Sequence, residues 1–95
     1  MDTIKISGIN YTIEELSPDE MNGNIGLADF NCQRIMINNT FSNQTKMIAR
    51  WHEMIHIIDT VYGTNLTEEQ VVTLTHGMLA VFLDNPDLLD ILNKY

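Results

Sequence analysis

The segment Ser42–Gly63, SNQTKMIARWHEMIHIIDTVYG, combines a helical repeat of apolar residues with a short chemical motif. Its large apolar residues recur at steps of three and four positions, which is the spacing of one face of an α-helix. Ser42 is a favourable N-cap residue, and Gly63 is a favourable residue at a helix C-terminus. The segment therefore predicts a long helix with a core face made of Met47, Ile48, Trp51, Ile55, Ile58 and Tyr62.

His52, Glu53 and His56 form an HExxH motif inside this helix. Residues four apart lie on one helix face, so both imidazoles can bind the same ion. The neighbouring carboxylate can reach a water bound to that ion, which is the arrangement of zinc hydrolases. The motif predicts zinc as the cofactor, His52 and His56 as metal ligands, and Glu53 as the catalytic general base. The competing interpretation is two ordinary histidines and a solvated glutamate, because so short a motif also occurs by chance.

The position of the motif on the helix follows from a rotation of about 100° per residue. With Trp51 at the centre of the core face, His52 and His56 are expected together on one flank. Glu53 is expected farther round the helix, near Arg50. A metal cleft between this helix and a neighbouring element requires ligands beside the core rather than at its centre.

A second helix is predicted from Thr67-Glu68-Glu69-Gln70, which has the capping-box pattern, to Asn85-Pro86. A catalytic zinc site usually has three protein ligands, so the third is expected on this helix. Glu69 would complete a His-His-Glu set, and His76, seven positions later on the same face, would complete a set of three histidines. The core residues expected on this helix are Val71, Leu74, Met78, Val81 and Phe82.

Residues 1–40 predict strands, because short runs of alternating apolar and polar residues are separated by turn residues. The expected strands are Thr3–Ile6, Tyr11–Ile13, Ile25–Phe30 and Arg34–Asn38.

The expected fold is α+β. A small antiparallel N-terminal sheet of three to four strands packs on an αα-hairpin, followed by a short C-terminal helix that begins at Pro86 and docks through its leucines. One domain is expected over residues 1–95, with a β-rich part at 1–40 and a helical part at 41–95 that carries the motif.

The net charge of −8 predicts repulsion from nucleic acid and from anionic membranes, so neither is expected as a partner. The N-terminal residues resemble no signal peptide, and no apolar run approaches the length of a membrane span. Cys32 is the only cysteine, so no internal disulfide is expected, and its expected role is inert packing. These features predict an intracellular, cytoplasmic protein.

Several stretches resemble a family of small phage and prophage proteins that carry a W-H-E-x-x-H helix, a Y-G-x-x-[LM]-[ST]-E-E-x-V connection, an L-A-x-G-L stretch and a terminal D-N-P. The matching stretches are Arg50–His56, Tyr62-Gly63, Leu66–Val71, His76-Gly77-Met78 and Asp84-Asn85-Pro86. That family in turn resembles the ImmA/IrrE-type zinc metallopeptidases. The resemblance implies a minimal zincin-like fold and a zinc-dependent peptidase activity, with His52 and His56 as ligands and Glu53 as the base.

The resemblance also bears on the third ligand. The larger peptidases place an acidic ligand at the first position of an E-x-x-A-N pattern. When Thr75-His76 is aligned with A-N, the residue at the acidic position is Val72. A valine side chain cannot bind a metal. The E-E-x-V stretch of the small family favours Glu69 as the third ligand, with His76 as the alternative.

Two functions are compatible with these features. The first is a zinc metallopeptidase that cleaves an intracellular protein, such as a host or phage regulator. The second is a non-enzymatic acidic protein that keeps a zincin scaffold and blocks a host defence protein. The intact His-Glu-His set favours the first function, and the small size of 95 residues favours the second.

Overall fold

The structure of the chain, a computed structural model, describes residues 2–94 and confirms the α+β class. In chain order its elements are β1 (Asp2–Ile6), β2 (Ile9–Leu16), α1 (Pro18–Met21), β3 (Gly26–Asp29), β4 (Arg34–Asn38), α2 (Asn43–Tyr62), α3 (Glu68–Asp84) and α4 (Leu88–Leu92). Within residues 2–94, none of the helices combines the length and the apolar character needed to cross a membrane.

The sheet is mixed rather than wholly antiparallel, and its strand order is β1-β2-β4-β3. The pairs β1–β2 and β3–β4 are antiparallel, as the sequence predicts, whereas β2 and β4 are parallel. The parallel pair arises because the chain crosses from β2 to the far edge of the sheet and returns as β4 beside β2. Alternation of apolar and polar residues reports which face of a strand is buried, and it does not report the direction of the neighbouring strand.

The crossing from β2 to β3 contains α1. Ser17, Pro18 and Asp19 are residue types typical of a turn, but the structure has one turn of helix there. The Ser17 hydroxyl accepts a hydrogen bond from the backbone N–H of Glu20, and the Glu20 carboxylate accepts one from the backbone N–H of Ser17. Met21 at the end of this turn is fully buried, and α1 packs against β4.

The ends of α2 agree with the sequence prediction. The Ser42 hydroxyl accepts a hydrogen bond from the backbone N–H of Thr45, and Gly63 ends the helix in the left-handed conformation at φ 63°. That conformation is accessible to glycine at little cost.

The core face of α2 agrees with the prediction at Ile55, which is buried, and at Ile58, which packs against the core. It differs elsewhere, because this helix lies between the sheet and α3 and is covered on two sides. The sheet side contains Ala49, Glu53 and Ile57, which recur every four residues and are all buried. Ala49 and Ile57 belong to the main core cluster, together with Ile6, Tyr11, Ile35 and Ile37. The predicted centre, Trp51, packs instead against the Phe82 ring of α3, at a centroid distance of 4.8 Å. Tyr62, at the end of the predicted face, is 64% exposed.

The predicted core face of α3 is rotated by nearly a quarter turn from the buried one. Thr67 and Gln70 form the predicted capping box, so the helix begins where expected. Its buried residues are Val71, Thr75 and Leu79, and of these only Val71 was expected in the core. The other four expected residues, Leu74, Met78, Val81 and Phe82, are each more than a third exposed. The helix is apolar on most of its circumference, so periodicity alone did not identify the side that meets α2.

The C-terminal helix also differs from the prediction. α4 begins at Leu88, two residues after Pro86, and none of its residues is buried. It makes few contacts with the other elements. The expected docking of its leucines onto the core is therefore wrong: Leu89 and Leu92 are mostly exposed.

Candidate metal centre

Two imidazoles converge at the junction of α2 and α3. His52 and His56 lie one turn apart on α2, both half-buried, and their Nε2 atoms are 3.1 Å apart. The two rings therefore turn the same nitrogen toward one point. The local cause is the four-residue spacing, which stacks side chains along one face of a helix.

Glu68 supplies a carboxylate at the same point from the first turn of α3. Its Oε1 lies 2.7 Å from the Nε2 of His52, and its Oε2 lies 3.0 Å from the Nε2 of His56. One possible ligand atom from each of the three residues lies within 4.8 Å of the others. The capping box at Thr67 starts α3 at Glu68 and so presents this carboxylate toward α2.

The carboxylate beside the histidines is thus Glu68, and the structure does not bring the expected Glu69 or the alternative His76 to them. Glu68 is in line with the buried face of α3, because it lies three residues before Val71. Glu69 is rotated from that line by about 100°. It lines a separate surface groove, and His76 is exposed.

A signal for Glu68 was present in the sequence. Glu68 lies one helical turn before Val72, the position that the resemblance to larger peptidases assigns to the acidic ligand. A carboxylate displaced by four residues is rotated by about 40° from the position of Val72, whereas Glu69, displaced by three, is rotated by about 60° in the opposite direction. The choice of Glu69 rested on the E-E-x-V stretch, which contains both Glu68 and Glu69 and does not distinguish them.

The three residues form a loose group whose donor atoms suit a zinc ion. Zinc binds imidazole nitrogen and carboxylate oxygen at about 2.0–2.2 Å, so ligand atoms in a tetrahedral site are about 3.3 Å apart. The two histidine nitrogens are 3.1 Å apart, but the two short carboxylate contacts, 2.7 and 3.0 Å, involve different oxygens of Glu68. With one ligand atom from each residue, the three atoms lie within 4.8 Å of one another, so the exposed Glu68 side chain would have to turn to bring one oxygen to the ion. A set of two imidazoles and one carboxylate is a known catalytic zinc set, and it leaves a fourth position for water.

The sequence places Glu53 outside the predicted core face of α2, but in the structure it lies on the sheet side of the helix and is only 8% exposed. It faces Gly26 at the start of β3. A Cβ atom added at Gly26 would lie 3.2 Å from both Cγ and Oε2 of Glu53, so the close approach depends on the absence of a side chain there. Burial raises the pKa of Glu53, and the charge of Glu68 adds to this, while His52 and His56 act in the opposite direction.

A cleft of about 410 Å³ adjoins these side chains. It lies between α2 and the strand β3, which forms one edge of the sheet. Apart from Glu53 and His52, its lining is uncharged and consists of Gly23, Asn24, Ile25, Gly26, Thr45, Ile48 and Ala49. A chain segment placed in this cleft would therefore contact the carboxylate of Glu53 and one of the candidate metal ligands.

Asp59, one turn after His56, stabilises the connection between the helices. Its Oδ1 accepts hydrogen bonds from the backbone N–H of Leu66 at 2.8 Å and from the Thr64 hydroxyl at 2.6 Å. These hydrogen bonds, that of Leu66 first, lower the pKa of Asp59. Because Leu66 directly precedes the N-cap of α3, Asp59 helps to position Glu68 opposite the histidines.

Comparisons of this chain with protein-family models, with curated proteins and with solved structures found no match. What the site can do follows from its own geometry and chemistry.

Proposed function

We propose that this chain is a zinc-dependent metallopeptidase of the small phage type that resembles ImmA/IrrE enzymes. It hydrolyses a peptide bond of a protein in the host cytoplasm, such as a host or phage regulator. The observation that carries the proposal is the convergence of His52, His56 and Glu68 beside the buried carboxylate of Glu53.

The proposed metal ligands are the Nε2 atoms of His52 and His56 and a carboxylate oxygen of Glu68. When bound, zinc would lower the pKa of a coordinated water and polarise the carbonyl group of the scissile bond. Three protein ligands leave the site open on one side, as catalytic zinc sites are.

Glu53 is the proposed general base and acid. Its carboxylate takes a proton from the attacking water and later gives that proton to the nitrogen of the leaving amine. Burial raises the pKa of Glu53, and a higher pKa makes its carboxylate a stronger base. The contact with Gly26 limits the movement of this side chain.

The proposed substrate site is the cleft between α2 and β3. An extended peptide can add to the edge of a sheet through main-chain hydrogen bonds, and β3 is an edge strand. The uncharged lining of the cleft suits an apolar or small side chain of the substrate.

The proposal is tested with Glu53→Gln, which keeps the shape of the side chain but cannot take up the proton. Wild-type protein with one equivalent of zinc is incubated with a peptide library derived from a bacterial proteome, and new N-termini are identified by mass spectrometry. We expect cleavage at a limited set of sites by the wild type, and none by Glu53→Gln at equal zinc content. New N-termini in equal number from the two proteins would refute the proposed mechanism.

The alternative is a non-enzymatic binding protein built on the same scaffold. The exposed apolar residues of α3 and α4 and the net charge of −8 favour a surface that serves binding. The two functions differ in a cell-based assay, because a binding protein keeps its full biological effect in the Glu53→Gln variant and a peptidase does not.

A further inference from the structure

α3 has an apolar surface on the side that faces away from α2. This outer face consists of Leu74, Gly77, Met78 and Val81, and it lines a shallow groove together with Thr73 and Phe82. At about 100° per residue these positions lie roughly opposite Glu68, which faces the histidines. The outer face is therefore separate from the candidate metal centre.

The two C-terminal helices expose many large apolar side chains. Nine of them are at least 36% exposed: Val72, Leu74, Met78, Val81, Phe82, Leu83, Leu89, Ile91 and Leu92. At roughly 180 Å² of total surface for a large apolar residue, the four that line the groove leave on the order of 300 Å² of apolar area. A standard interface covers about 800 Å² on each partner and is only a little more than half apolar, so this groove would form the apolar centre of a small interface.

The charge distribution favours a second copy of the chain as the occupant. Residues 71–83 include no Asp, Glu, Lys or Arg, although the chain carries a net charge of −8. A strongly basic partner would be recognised by the acidic surfaces instead of this charge-free face. Interfaces between identical subunits are more apolar than the rest of the protein surface, and their centres are depleted of charged residues.

We propose that the chain forms a homodimer in which the outer faces of two α3 helices pack antiparallel about a two-fold axis between Gly77 and Met78. Leu74 then lies opposite Val81 of the partner subunit, and Gly77 lies opposite Met78 of the partner subunit. A Cβ atom at Gly77 would meet nothing within 4 Å in a single chain, so the space above it is free for the partner's Met78. The symmetry pairs each of these contacts with an identical one.

The test is the molar mass of the full chain by sedimentation equilibrium, over a range of protein and salt concentrations. We expect a reversible shift from 10.9 kDa to twice that mass. The dimer should tighten as the NaCl concentration rises from about 10 to 150 mM, because the Debye length falls from about 30 to 8 Å and screens the repulsion between the two acidic chains. A chain that remains monomeric at millimolar concentration and 150 mM NaCl would overturn the proposal.

Matched variants locate the interface. Leu74→Glu and Val72→Glu add the same charge to α3 at residues of similar exposure, 42% and 39%, but Val72 lies outside the outer face. We expect Leu74→Glu to raise the dissociation constant by at least about 100-fold, because a dimer would bury one unpaired carboxylate from each copy. Val72→Glu should leave the dissociation constant nearly unchanged. Equal effects of the two substitutions would exclude this interface.

A cross-linking experiment covers the case in which Leu74→Glu does not fold. In a Cys32→Ser background, Gly77→Cys should form a disulfide-linked dimer under mild oxidation, since the two-fold axis brings position 77 of both copies together. Val72→Cys serves as the control and should remain monomeric on a non-reducing gel. Cross-linking only at position 72, or at neither position, contradicts the proposed arrangement.

Discussion

Replacement of Glu68 by glutamine should remove the response of the protein to zinc while leaving the apo fold nearly intact. In the apo protein the Glu68 side chain is 64% exposed, and its contacts to His52 and His56 are those of a surface pair. Such pairs contribute about 0–1 kcal/mol, so the apo variant should melt within several degrees of the wild type. With zinc, the same carboxylate becomes the third ligand and its loss opens the site.

The size of the effect follows from linkage. Zinc that binds only the folded state at 100 times its dissociation constant stabilises that state by about 2.7 kcal/mol. In a domain of this size 1 kcal/mol corresponds to about 4–8 °C, so the wild type should gain about 10–20 °C in Tm. If loss of the carboxylate weakens binding about 100-fold, the stabilisation at the same zinc concentration falls to about 0.4 kcal/mol, or about 2–3 °C.

The assay is thermal unfolding followed by circular dichroism, first in chelator and then at fixed free zinc. Glu69→Gln is the matched control, because it removes the same charge from the same turn of α3 at a residue that does not approach the histidines. We expect Glu69→Gln to retain the full shift. A wild type without a zinc response, or a larger loss in Glu69→Gln than in Glu68→Gln, would refute the assignment of the third ligand.

Three further outcomes are expected. Ile57→Ala, at a fully buried position against the sheet, should lower the free energy of unfolding by about 2–5 kcal/mol in urea titrations, and exposed Val61→Ala should cost far less. Asp59 has a lowered pKa in the folded state, so its stabilising contribution is complete above its ordinary pKa and is lost as the pH falls through the lowered value. Asp59→Asn should therefore flatten the acid side of a plot of stability against pH. Gly26→Val should displace Glu53 and reduce peptide hydrolysis by about 100-fold, while the zinc-induced shift in Tm remains; an unchanged rate would show that this contact is not needed.

The elements of the fold were largely predictable because their ends are encoded locally. Ser42, Gly63 and Thr67 have the capping roles that their residue types indicate. The antiparallel hairpins were predictable as well, since each joins strands that are adjacent in the chain. The parallel pairing of β2 with β4 was not, because it depends on where the crossing through α1 leads the chain.

Two of the three candidate metal ligands are predictable from the local sequence, and the third is not. His52 and His56 share a face in any α-helix, so the five residues His52–His56 are enough to predict their convergence. The partner carboxylate depends on the rotation of α3 against α2. A shift of one residue, from Glu68 to Glu69, turns a side chain by about 100° and removes it from the site.

The sequence by itself determined the α+β order of elements, the caps of both long helices and the histidine pair, because each depends on interactions between residues close in the chain. Only the tertiary structure decided that Glu53 is buried against Gly26, that Glu68 faces the histidines and that the outer face of α3 is left exposed. The physical reason is that α2 and α3 carry apolar residues on more than one side. Periodicity therefore leaves open which side meets a neighbour, and packing between elements far apart in sequence makes that choice.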